Sequence, residues 1–273
     1  MTDIRETGAE SLAQAPKFLN HARATAILEE LGIDALVGAE DENLCYLSSH
    51  VPDSVLCHFY DWWAAAILPR RTDAPPCLAT SEYDAAYLVT HRTWMPEIRL
   101  YGAEWSSASG LIRKISEGEG VDTELRGALR ALRARTEPRR TPSLVAAIAA
   151  WVREYLPAGN RRLAFDDLRL GQAVNEALDG TCTIVDARWV FRRIRLVKTA
   201  PELAVLRRAA SINERALMAA AGAVAPGRPW CASTTMASTV GRSSAMQAFV
   251  SSTGSVNSSS ATFDGMMASL TGK

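Results

Sequence analysis

Six short apolar runs, separated by longer stretches of helical periodicity, constrain this chain more than any other feature. The runs are Ile33–Val37, Trp62–Leu68, Cys77–Thr80, Glu97–Tyr101, Arg162–Phe165 and Thr181–Val185. Each is short enough for a strand and too short for a buried helix. Between them lie segments whose apolar residues recur on one helical face. Ala24, Ile27, Leu28 and Leu31 follow Asn20, a good N-cap, and Gly32 ends the pattern as a left-handed cap would. Glu82–His91 and Thr123–Arg135 read as helices, the second inside a charged surface stretch, Glu104–Arg140. Thr141-Pro142 reads as an N-cap followed by Pro at the first helical position, with Leu144, Ile148, Trp151 and Tyr155 on one face. Leu168–Leu178 is a further helix. Strands alternating with helices of 10–15 residues imply a layered α/β domain with at least some parallel pairing.

Thr199-Ala200-Pro201-Glu202 has the form of a capping box and opens a long helix ending near Val224. Leu203, Leu206, Ala210 and Leu217 are its expected buried stripe. At Trp230 the text changes. The last 44 residues hold 11 serines and 6 threonines, and only Arg242, Asp264 and Lys273 are charged; the preceding 229 residues hold the other 57 charges. A segment of that composition cannot bury enough apolar surface to order itself, so a disordered tail is expected. The resulting division is a leader (1–19), an α/β domain (20–196), a long helix (197–228) and a tail (229–273).

Lysine plus arginine and aspartate plus glutamate both number 30, which gives no global field to attract nucleic acid or an anionic membrane. No apolar run reaches membrane-spanning length, and Met1 to Gly8 carry no signal core, so the expected location is the cytoplasm. The five cysteines are odd in number and irregular in spacing, which reads as reduced thiols. Cys45, His50, Cys57 and His58 are the one cluster with metal-ligand chemistry, but C-x4-H-x6-C-H fits no standard zinc module. Asp166-Asp167 is a carboxylate pair at a strand end, explained most simply by Asp167 capping the next helix. Arg192, Arg193 and Arg195 read as a solvated helix face or as ion pairs with the sheet domain. No Gly-rich phosphate loop and no Gly-x-Ser-x-Gly elbow occurs.

Three stretches together resemble the creatinase/prolidase (Xaa-Pro aminopeptidase) family. Gly32-Ile33-Asp34-Ala35-Leu36-Val37 with Glu42-Asn43-Leu44-Cys45-Tyr46-Leu47-Ser48 is similar to the family's G-I-D-A-L-L-V and N-I-x-Y-L-S/T-G opening. Leu144 to Asp186 matches its helix–strand–helix–strand run. Arg193 to Leu203, continuing through Leu206-Arg207-Arg208-Ala209, is similar to the L-R-x-I-K-S/T-x-x-E bridge into the catalytic domain, closed by Ala225-Pro226-Gly227. The resemblance implies a mixed-sheet amino-terminal α/β domain with a ribonuclease-H-like layer, followed by the first helix of a pita-bread domain. It also implies a homodimer, or pairing with a full-length relative. In intact relatives two divalent ions (Mn, Co or Zn) activate water against an amide bond. The loop after Tyr46-Leu47-Ser48 would reach the neighbouring subunit's cleft, where His58, Phe59, Tyr60 and Trp62 could contact substrate; core or rim burial is the alternative.

A two-metal hydrolase needs several carboxylates and an imidazole converging on ions roughly 3.5–4 Å apart. After Lys198 the sequence offers Glu202, Glu214 and Asp264 and no histidine; His21, His50, His58 and His91 all lie upstream. No catalytic residue, metal ligand or cofactor is therefore assigned to this chain, and it is expected to be inactive alone. A frameshift or truncation near codon 229 is the simplest account of the tail. The alternative is a stand-alone binding or regulatory module that pairs with full-length relatives.

Overall fold

The computed structural model describes residues 17–51, 63–102 and 123–223. His58, Phe59, Tyr60 and Trp62, and the tail from 229, lie outside them. The chain divides into two compact units, Gln14–Ala204 and a second one holding Met1–Ala13 with Val205–Lys273.

In the first unit the order is α1 (His21–Leu31), β1 (Ala35–Gly38), α2 (Asp41–Ser48), β2 (Ala64–Pro69), β3 (Cys77–Ser81), a 3-10 turn (Glu82–Asp84) with α3 (Ala85–Thr90), and β4 (Glu97–Tyr101). There follow α4 (Thr123–Thr136) with a 3-10 turn, α5 (Leu144–Tyr155), β5 (Arg161–Phe165), α6 (Leu168–Ala177), β6 (Cys182–Asp186) and α7 (Arg188–Arg195). Finally α8 (Ala200–Ala223) runs from the first unit into the second.

The strands form one mixed sheet in the order β4-β3-β2-β1-β5-β6. β2 alone is antiparallel to its neighbours; β3–β4, β1–β5 and β5–β6 are parallel pairs. Five strands therefore end on the same edge of the sheet. β1, β2 and β3 are buried along their whole length, as continuous apolar runs covered on both faces must be. Strand alternation sends Leu36, Ala66, Leu68 and Leu78 to one face, under α1, α2, α3, α4 and α7. Val37, Ala65, Ile67 and Phe165 go to the other, under α5 and α6. Each fully buried Leu, Ile or Phe contributes about 1.5–3 kcal/mol. Trp151 of α5 is fully buried, and its indole N–H donates to the Pro75 carbonyl at 3.2 Å.

Local chemistry sets the element ends. Asn20 accepts from the Arg23 amide at 3.3 Å, and Gly32 closes α1 with φ 61°. Asp167 caps α6 through the amides of Arg169 and Leu170. The capping box on α8 is made in both directions: the Thr199 amide donates to the Glu202 carboxylate at 2.8 Å, and the Glu202 amide donates to Thr199 Oγ1 at 3.3 Å. Gly171 lets α6 lie close on the sheet; a Cβ there would sit 2.8 Å from Ile184 Cγ2 and 3.1 Å from the Phe165 ring.

The structure corrects four expectations. The cap of α5 is Ser143, not Thr141. Thr141 instead extends the sheet edge, its amide donating to the Leu100 carbonyl and its carbonyl accepting from Gly102. The region of Glu82–His91 is split, a 3-10 turn preceding a six-residue helix. Arg188–Arg195 is a helix of its own, which buries Val190, Phe191 and Ile194. The expected buried stripe of α8 is exposed, Leu206 at 50% and Leu217 at 70%.

The edge strand β4 carries Glu97 and Arg99 inward. Arg99 is 1% exposed; it donates to Glu97 at 2.6 Å and to Glu154 of α5 at 2.5 Å, and the Tyr155 hydroxyl donates to Glu97 at 2.7 Å. Inward charges on an edge strand discourage pairing with another chain. The entrance and exit of the unit are stitched together. Arg23 Nε donates to the Arg193 carbonyl at 2.8 Å, Arg193 pairs with Glu30, and the Thr199 hydroxyl donates to the Phe18 carbonyl at 3.1 Å.

Candidate functional site

In an open α/β sheet the ends of the parallel strands, where the strand order changes direction, form the usual binding crevice. Here that edge carries two polar clusters. The first is centred on Asp166, directly after β5. It is 4% exposed and its carboxylate accepts four N–H donors: the amides of Ala39 (2.9 Å), Glu40 (3.1 Å) and Asp167 (2.9 Å), and the Asn43 side chain (3.0 Å). Burial raises the Asp166 pKa; the four donors oppose the rise, each favouring the ionised form. Arg195 extends the cluster, donating to Asn43 Oδ1 at 3.2 Å and lying over the Tyr46 ring. Thus the end of β5 and the start of α2 meet at one carboxylate, and the end of α7 joins them only through Asn43. Gly38 is required beside it, since a Cβ there would sit 3.1 Å from both the Asn43 backbone and Phe191.

Glu40 flanks the cluster; its pKa is raised by burial and by the charges of Asp166, Glu42 and Asp167. Asp186 is held low by its pairing with Arg188 at 2.6 Å. An acid–base catalyst needs an accessible lone pair in reach of substrate. Asp166 directs its oxygens at backbone and Asn43 donors, so its arrangement positions chain rather than protons.

The second cluster holds Trp63, the first described residue after 52–62. The fully buried Asp84 accepts from the Trp63 indole at 3.0 Å and from the Thr80 hydroxyl at 2.5 Å. The Tyr101 hydroxyl donates to the Trp63 carbonyl at 2.7 Å, and burial with the Asp84 charge pushes its pKa up. On the other side of 52–62, Ser49 takes φ 57° where the resembling pattern has Gly. The Leu47 and Ser48 carbonyls accept from Trp94 Nε1 at 2.8 Å and from the Thr93 hydroxyl at 2.6 Å. The chain is thus fixed on both sides of the segment that carries His58, Phe59, Tyr60 and Trp62, which themselves lie outside the described residues.

Among the described residues no group of three or more His, Cys, Asp or Glu side chains could hold a metal ion. The Cys45/His50/Cys57/His58 grouping can be followed only at Cys45, half-buried, and His50, fully buried. Burial pushes the Cys45 thiol up, and does so strongly for Cys77. Neither has the depressed pKa of a nucleophilic thiol. In the Arg192–Arg195 run Arg193 forms an ion pair with Glu30, Arg195 donates to the neutral Asn43 amide, and Arg192 is exposed. Sequence reasoning missed the role of Asp166, three of whose four partners lie more than 120 residues away.

No helix among the described residues is long and apolar enough to cross a membrane. No protein-family model matches the chain, and no curated protein matches it by sequence. Solved structures do match in fold. Prolidase from Thermococcus sibiricus aligns with TM-score 0.52 at 14% identity, over 81% of this chain and 48% of that one. An Xaa-Pro dipeptidase from Bacillus anthracis aligns with TM-score 0.50 at 14% identity, over 82% and 48%. Prolidase from Pyrococcus horikoshii OT3 aligns with TM-score 0.50 at 11% identity, over 82% and 48%. The chain spans about half the length of these relatives.

Proposed function

We propose that this chain is the non-catalytic amino-terminal module of an Xaa-Pro peptidase-type hydrolase, joined to its bridge helix, and that it shapes a substrate cleft and pairs with a second copy or a full-length relative. The observation that carries the reading is the extent of the fold match. It takes in about four-fifths of this chain and just under half of each prolidase or Xaa-Pro dipeptidase. The quoted bridge motif supports it, because Thr199 and Glu202 form the reciprocal cap such a motif requires.

On this reading amide hydrolysis belongs to other polypeptide sequence. The two divalent ions of intact relatives do not fit the residues here, because the described part brings no set of ligands together and the sequence beyond Lys198 has no histidine. No hydrolytic step is assigned to this chain. Its contribution is positional: Asp166, Asn43 and Arg195 lock the strand edge, and Trp63, Asp84 and Tyr101 fix one root of the segment bearing His58, Phe59, Tyr60 and Trp62.

The test is to purify the full chain, load it with manganese, cobalt or zinc, and measure bound metal, Xaa-Pro dipeptide hydrolysis and molar mass in solution. The expected result is neither stoichiometric metal nor turnover, with a dimer alone or a mixed dimer with an intact relative. Stoichiometric metal accompanied by dipeptide turnover overturns the proposal.

A further inference from the structure

His50 is used by nothing described so far. It follows the left-handed Ser49 at the end of α2 and is 1% exposed, yet neither ring nitrogen has a hydrogen-bond partner. Its ring meets the edge of Tyr87 on α3 at 5.7 Å. Tyr87 in turn stacks on His91 at 4.0 Å, and His91 Nδ1 lies 3.0 Å from the Thr90 hydroxyl. The backbone here is tied down by side chains. The His50 amide donates to Ser48 Oγ at 3.0 Å, while Thr93 and Trp94, just past α3, satisfy the last carbonyls of α2.

A neutral imidazole can sit in this place at modest cost. Protonation would add an N–H donor to a ring that is 1% exposed and whose nitrogens have no hydrogen-bond partner among the described residues. Among the described residues the titratable groups facing the ring are Tyr87 of α3 and His91, the residue that caps it. Burial, with a smaller contribution from the His91 charge, lowers the His50 pKa to about 4. The backbone of His91, close to the ring, offsets part of this lowering. His91, whose own pKa is lowered by burial, can carry only a positive charge and so cannot compensate an imidazolium at His50.

We propose that His50 is a proton-sensitive latch between the end of α2 and the end of α3: neutral, it holds the two together; protonated, it releases this junction while the sheet remains folded. The folded-state pKa lies below the ordinary value of 6.5. The latch is therefore complete above pH 6.5 and is lost as pH falls from 6.5 toward 4. Between pH 7.5 and 5.5 the opening equilibrium should rise about tenfold.

Hydrogen exchange on the full chain, corrected for intrinsic rates, reads this directly. Peptides covering 44–51 and 87–95 should lose about tenfold protection at pH 5.5 relative to pH 7.5, while β1 and β5 peptides hold theirs. In His50→Phe the pH dependence of those two peptides should vanish. Unchanged protection in the wild type, equal loss across the sheet, or the same pH dependence in His50→Phe overturns the proposal. Should His50→Phe fail to fold, the wild-type His50 ring followed by NMR decides: a midpoint below pH 5 supports the latch, and one near 6.5 refutes it.

Discussion

Replacing Asp166 by alanine tests whether one carboxylate ties the end of β5 to the start of α2. The side chain receives four N–H donors at 2.9–3.1 Å and is 4% exposed. A hydrogen bond to a charged acceptor contributes about 1.5–3 kcal/mol. The four do not add in full, because the buried carboxylate also bears a desolvation cost, visible in its raised pKa. Each neutral N–H left buried without an acceptor costs about 1–3 kcal/mol, and with the carboxylate's own desolvation relieved the expected net loss for Asp166→Ala is about 3–5 kcal/mol. Asp167→Ala, by contrast, removes an ordinary N-cap from α6 and should cost about 1 kcal/mol. With a urea m-value of about 2 kcal/mol/M, the midpoints should fall by about 2 M and about 0.5 M respectively, with m unchanged. Asp166→Asn should lie between them, since the amide keeps one acceptor but turns a donor toward donors. If Asp166→Ala is no more destabilising than Asp167→Ala, the carboxylate is not the tie described above.

Two further substitutions probe backbone fit. Ser49→Gly relieves a left-handed residue and should stabilise the protein by about 0.5–1 kcal/mol, read as a higher urea midpoint. Gly171→Ala gains helix propensity of about 1 kcal/mol but drives a methyl into Ile184 Cγ2, near the backbone of a packed strand. A net loss of about 1–2 kcal/mol should appear in thermal melts, and a gain would mean that α6 can lift off the sheet.

The strands were readable because their residues answer to burial alone. Ala35–Gly38 and Cys77–Ser81 are covered on both faces, so Ala35–Val37 and Cys77–Ala79 are continuous apolar runs. Strand order was not readable, and neither was the reversed direction of β2, because both depend on what pairs across the sheet. α7 was hidden by charge: Arg188, Arg192, Arg193 and Arg195 surround a narrow stripe of Val190, Phe191 and Ile194, whose i, i+1, i+4 spacing was the available signal. The stripe on α8 misled for the opposite reason. Helical periodicity marks an apolar face, and it does not say what that face lies against. Asp167 was legible as a cap because its donors are two and three residues away, whereas all but one of the donors to Asp166 come from residues 39–43.

The stitching of residues 18–30 to 193–199 has an engineering consequence. Where the first unit's chain enters and where it leaves lie side by side. A polypeptide so arranged can be spliced into a surface loop of a carrier protein as a cassette, without prying the host's loop ends apart. Tension applied across such a graft would load the Arg193–Glu30 and Thr199–Phe18 ties first, so they set the force at which the cassette begins to open.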